Sequence, residues 1–224
     1  MPKSSRQANL ERKAAKRKKQ KQQQRGGSGY TLGRRAQVLQ AATWPFFECW
    51  VSEAWRDPMK LTEVIVARRN QSTGEIVAAA FLLDRACLGV KNAMLANFAT
   101  VQPYRSDFLG HFGSFQKLVE VELDLGAAII KAGLDYAASL EFRPHRDYAE
   151  AALLLGDADP LVFSESIPVG GPDGKPYFVA GPYDNQTRVM KHLERLLGLG
   201  NFLFTTPVEP EFDDDFEDDF EDGG

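Results

Sequence analysis

The chain has 224 residues, 43% of them apolar and 26% charged, with a formal net charge of −4. That size suits one domain with extensions. Its longest apolar run, Ile76 to Leu83, is far shorter than the roughly 20 residues of a helical membrane span, and two cysteines, Cys49 and Cys87, make neither a disulfide framework nor a thiol metal site.

The modest net charge hides a polarised layout. Residues 1–28 hold ten Lys or Arg and one acid, whereas residues 207–224 hold ten acids and no base. The N-terminal stretch "KRKKQKQQQR" has too few apolar groups to offset the entropy of ordering, so residues 1–30 read as a disordered basic arm. No apolar stretch follows its charges, unlike a secretory signal. Cations at Lys16, Arg17, Lys18, Lys19, Lys21 and Arg25 suit the phosphates of RNA or another polyanion, where each contact releases counterions. No aromatic residue lies among them, so the arm grips backbone without reading bases.

The globular α+β domain is expected over residues 31–206. A short helix is predicted over 34–43. "WPFFECWVSEAW" then reads as a strand, with Phe47, Cys49 and Val51 on one face, because aromatic and β-branched residues dominate it. "LTEVIVARR" and "EIVAAAFLL" form a hairpin around "NQSTG". The second strand is apolar on both faces and belongs inside its sheet, and "VKNAMLANF" follows as a third strand. Apolar spacing predicts a long helix from Ser114 to about Ser139 and a second helix over Arg146–Leu155. "GGPDGK" is a turn and "PYFVAG" a strand. A helix capped by Asp184 or Asn185 covers "QTRVMKHLERLL", and "NFLFTT" is the last strand. The order implies a mostly antiparallel sheet with helices packed on it. It also echoes the ribonuclease H order of three antiparallel strands, helix, strand, helix, strand.

Four positions in the domain have chemical interest. Asp84 closes an apolar strand, where an ionised carboxylate needs hydrogen bonds, a partner or a metal. Turn amides or Lys91 would satisfy it. Glu122 falls on the apolar side of the predicted long helix, and with Asp84 it would make a two-carboxylate Mg²⁺ site. In "EFRPHRDY", His145 and Asp147 suit an acid–base pair, and Arg143 or Arg146 would hold a phosphate at a helix start. Each also has a structural reading, as an ion pair, a helix-dipole partner or a packed side chain.

"GEIVAAAFLLDRACLGVKNA", "LEFRPHRDY" and "DGKPYFVAGPYDN" resemble segments of an uncharacterised bacterial protein family over roughly residues 45–206. The resemblance implies an acid after the apolar strand, here Asp84, and a Pro–His pair before the second helix, here Pro144–His145. It implies no reaction.

Residues 207–224 read as a disordered acidic tail. Phe212, Phe216 and Phe220 recur every fourth residue in "EFDDDFEDDFED", as in a linear motif for a protein partner with a basic, apolar groove. The tail is similar in sense to the acidic, Phe-containing tails of single-stranded-DNA-binding proteins, although it ends in "EDGG" where those end in an apolar residue. The leading expectation is a cytoplasmic RNA- or ribosome-associated binding or adaptor protein needing no cofactor. A Mg²⁺-dependent phosphodiesterase or nuclease and a protein-interaction scaffold stay open beside it.

Overall fold

The computed structural model describes residues 33–163, 167–181 and 184–205. Its centre is a five-stranded sheet built from β1 (Phe46–Ser52), β2 (Thr62–Arg69), β3 (Ile76–Asp84), β4 (Gly89–Phe98) and β5 (Leu118–Val121), in the order β4-β3-β2-β1-β5. Every pairing in it is antiparallel. The fold is therefore α+β, as composition and element order imply.

Alternation along the strands divides the side chains between two cores. On one face, Cys49, Val51, Val64, Val66, Ala79 and Phe81 pack with Leu125, Ile129 and Ile130 of a long helix. On the other, Ile65, Ala67, Ile76, Ala78 and Ala80 meet Tyr104, Phe108 and Phe112. β3 contributes to both and is an interior strand, as its doubly apolar sequence predicts. The covering aromatics come from α2, a helical stretch over 101–113 whose middle, Tyr104–Leu109, has π-helical turns. The Phe108 and Phe112 rings lie 5.1 Å apart, edge to face.

The predicted helix from Ser114 is corrected. Residues 118–121 form β5, and the helix α3 begins only at Leu123 and runs to Ser139. Leu118, Val121 and Leu125 satisfy a helical period, but β1 otherwise has an open edge. Pairing of Val51 with Val119 and Cys49 with Val121 satisfies those backbone groups. Gly126 lets α3 sit directly on the sheet, since a Cβ there would lie 2.5 Å from the Cys49 sulfur.

The second predicted helix is also shorter and tighter. α4 covers Tyr148–Ala151 and continues as a 3₁₀ turn over Ala152–Leu155. A smaller unit completes the domain: β6 (Tyr177–Val179) and β7 (Leu203–Thr205) pair in parallel, and α5 (Gln186–Leu197) is capped by the Asn185 side chain. The first helix, α1 (Arg34–Ala41), leads into the central sheet. Because β6 and β7 pair with each other and not with the five-stranded sheet, the ribonuclease H strand order is not formed.

Candidate functional site

Asp84 and Glu122 do not converge, whereas His145 lies beside Asp147 and the His145 amide donates to the Val90 carbonyl of β4 at 2.9 Å. Val121 stands beside Cys49, Cys49 beside Val66, and Val66 beside Ala79. Asp84 lies five residues further along β3, on the far side of two intervening strands. At about 4.8 Å per strand and 3.3 Å per residue, Asp84 and the end of β5 are roughly 20 Å apart. Mg²⁺ ligands sit at about 2 Å from the ion, so Asp84 and Glu122 cannot share one. Glu122 is exposed at the N-cap of α3, not on the helix's apolar face, because that helix starts later than its spacing suggested. Among the described residues, no group of three or more His, Cys, Asp or Glu is placed to hold a metal.

Asp84 is instead a turn carboxylate. It is buried, and one oxygen accepts from the amides of Ala86 and Cys87 at 3.1 and 3.0 Å, closing the turn between β3 and β4. Burial holds its carboxyl above the ordinary carboxylate range, against the pull of Lys91 and the turn amides. Lys91 occupies a β-bulge, the extra residue between Val90 and Asn92. Its ammonium meets Asp184 at 2.6 Å, and Asp184 also accepts from the Gly181 amide at 2.8 Å. The bulge thus aims a largely buried cation at the loop that enters α5.

His145 and Asp147 are adjacent without forming the expected pair. The Asp147 carboxylate lies 3.9 Å from His145 Nδ1, beyond hydrogen-bond reach, while the same nitrogen accepts from the Asp147 amide at 3.3 Å. Arg143 and Arg146 are exposed, and the helix they precede has only four α-helical residues. It offers no extended dipole for a phosphate. The arm cations Lys16, Arg17, Lys18, Lys19, Lys21 and Arg25, and the tail phenylalanines Phe212, Phe216 and Phe220, lie outside the described residues.

A concave feature among the described residues lies elsewhere, at the end of β1 and β2. A cleft of about 530 Å³ is lined by Trp44, Pro45, Phe46, Arg68, Gly156 and Asp157, among others. Its floor is Arg68, with 4% of its surface exposed. Nε donates to the Leu154 carbonyl at 2.8 Å, Nη1 to Trp44 at 2.9 Å, and Nη2 to Leu155 at 3.2 Å and to Asp157 at 2.9 Å. Four of five guanidinium hydrogens are thereby used among the described residues, leaving one on Nη1. Two of the three carbonyls, those of Leu154 and Leu155, belong to the 3₁₀ turn after α4, where a cation is favourable. The Leu154 carbonyl is left to Arg68, while the Leu155 carbonyl also accepts from the Ala158 amide at 3.0 Å.

Two backbone devices shape this site. Gly156 has φ 57°, and a Cβ there would lie 2.2 Å from Arg68 Nη2, so only glycine lets the guanidinium reach its acceptors. In β1, a bulge at Phe47 puts Phe46 opposite Arg68 and sends Phe47 to the other core, against Tyr104. The expectation that Phe47 shares a face with Cys49 and Val51 is corrected by that extra residue. Phe46 keeps 38% of its surface exposed. At the cleft mouth, the Asp157 side chain is 89% exposed. Its hydrogen bond from Arg68 holds its carboxyl below the usual range.

A second buried arginine, Arg85, has no exposed surface and donates to the carbonyls of Trp55, Asp57 and Pro168 and to the Thr62 hydroxyl. Burial pulls its guanidinium down to about 10, with Asp57 opposing. It anchors the β1–β2 loop and the segment at Pro168. The sequence signal for both arginines was present, since each follows an apolar run, Arg68 within β2 and Arg85 just after β3. No protein-family model, curated protein or solved structure matches this chain.

Proposed function

We propose that the protein is a bacterial, cytoplasmic binding or adaptor protein that associates with RNA through its basic N-terminal arm. The observation that carries this reading is the density of charge: ten Lys or Arg against one acid within residues 1–28. Cations at that density bind phosphates through counterion release, independently of sequence. The domain supports a carrier role. Its buried polar groups Asp84, Glu48 and most of Arg85 and Arg68 are committed to turn amides, carbonyls or ion pairs that hold loops in place.

The acidic tail is the second contact in this proposal and takes a protein partner through Phe212, Phe216 and Phe220. It also competes with RNA for the arm, because its ten acids oppose the arm's cations.

Binding of a structured RNA to the full chain and to a chain lacking residues 1–28, titrated across salt, tests the assignment. Each phosphate contact contributes about −0.7 to −0.9 to the slope of log K against log salt. The full chain should show a slope of several units that collapses without the arm. Unchanged binding after arm deletion overturns the assignment. Deleting residues 207–224 should strengthen RNA binding at low salt. Changing the three tail phenylalanines to alanine should leave that competition intact while abolishing capture of the protein partner.

A further inference from the structure

We propose that the Arg68 cleft holds one unpaired guanine base, an inference that rests on the RNA-binding reading and gives the bound strand a preferred base. The cleft combines three features that a flat, amphipathic ring requires. Phe46 and Pro45 present exposed apolar surface at its wall, and aromatic faces stack unpaired bases. Arg68 keeps one Nη1 hydrogen without a partner among the described residues, from a side chain that is 5% exposed. Asp157 stands 2.9 Å from the same guanidinium and opens its remaining acceptor sites to the mouth.

A donor and an acceptor thus lie side by side against a stacking surface. The Watson–Crick edge of guanine is complementary: O6 accepts, and the adjoining N1–H and 2-amino group donate. O6 takes the spare Arg68 hydrogen, and Asp157 takes the two donors. A phosphate would meet the Asp157 charge at the mouth, and a simple amine would leave the Arg68 hydrogen unmet. The volume, about 530 Å³, is within the usual range for a small-molecule site, about 300–1,000 Å³. The cleft is also close to the arm along the chain. α1 (Arg34–Ala41) lies between the arm and the cleft wall at Ala42–Phe46, and its eight residues span only about 12 Å. A strand gripped by the arm therefore has bases within reach.

Binding of the free nucleosides guanosine, inosine, adenosine and cytidine to the full chain, followed by NMR, isolates the cleft, because a nucleoside has no phosphate for the arm. Guanosine should bind and shift Phe46, Arg68 and Asp157 resonances. Inosine, which lacks the 2-amino group, should bind about tenfold more weakly, as a single lost base contact predicts. Asp157→Asn should weaken guanosine by about 10- to 100-fold and remove the distinction from inosine. Phe46→Ala should weaken all nucleosides together. Both side chains are partly or largely exposed, and unchanged circular dichroism would exclude loss of fold. Equal binding of all four nucleosides, or guanosine binding unaffected by Asp157→Asn, overturns the inference. If guanosine fails while arm-dependent RNA binding persists, only the base site falls. If guanosine binds but RNA does not, the RNA reading falls and the cleft stands as a nucleoside site.

Discussion

Gly156→Ala probes how Arg68 organises the end of the sheet. The new Cβ would lie 2.2 Å from Nη2, and alanine would have to adopt φ 57°, ψ −113°. Holding a non-glycine residue there costs about 1–3 kcal/mol. Moving the guanidinium away releases the Leu155 carbonyl, which loses a charge-assisted bond of about 1.5–3 kcal/mol. The sum is roughly 4 kcal/mol. Urea unfolding at neutral pH measures it: with a slope of about 2 kcal/mol/M, the midpoint should fall by about 2 M. Repeating the change in an Arg68→Lys background separates the two causes. A lysine ammonium is narrower and leaves space at Gly156, so the cost there should shrink to the backbone share, about 2 kcal/mol. An equal loss in both backgrounds would refute the claim that glycine is required by the Arg68 contact.

Glu63 lies on β2, and burial pushes its carboxyl up to about 7. A folded value above the unfolded one means the native state holds the proton longer. Stability should therefore fall as pH rises from about 4.5 to 7, by about 3 kcal/mol in all. Glu63→Gln should flatten that slope in urea midpoints taken at pH 4.5 and 8, and an unchanged slope would count against it. Burial pushes the Cys49 thiol up to about 12 and raises Cys87 further still. Neither free cysteine should react with a disulfide reagent at pH 8 until denaturant is added, and rapid native labelling would contradict this. Lys91→Met leaves Asp184 partly buried without its cation, which should cost about 3 kcal/mol. Calorimetry should show a smaller loss when Asp184→Asn is added.

Much of the sheet was legible from residues alone. β2 and β3 announce themselves by apolar runs between turn residues, and α5 by an Asn cap and a glycine stop. The failures share one cause. Leu118–Val121 has a period compatible with helix or strand, and only the open edge of β1 selects the strand. Phe47 faces away from Cys49 because of a bulge, which inserts one residue and carries no composition of its own. Once β5 replaced the first turns of the expected helix, Glu122 moved from an apolar stripe to an exposed cap, and the carboxylate pair with Asp84 dissolved. Asp84 itself was readable, since an acid at the end of an apolar strand followed by four turn residues suits turn amides.

The separation of charge into a basic arm and an acidic tail is a property of the sequence by itself, as is the α+β character of the domain between them. Both rest on local composition: charge density sets affinity for polyanions, and side-chain period sets the elements. The cleft was decided by tertiary structure alone. Phe46, Arg68 and Asp157 are far apart along the chain, and they meet because a bulge shifts register, a buried guanidinium gathers carbonyls from two distant segments, and a glycine leaves it space. Such contacts depend on which edges and carbonyls remain unpaired after the sheet has formed, and no local pattern encodes that remainder.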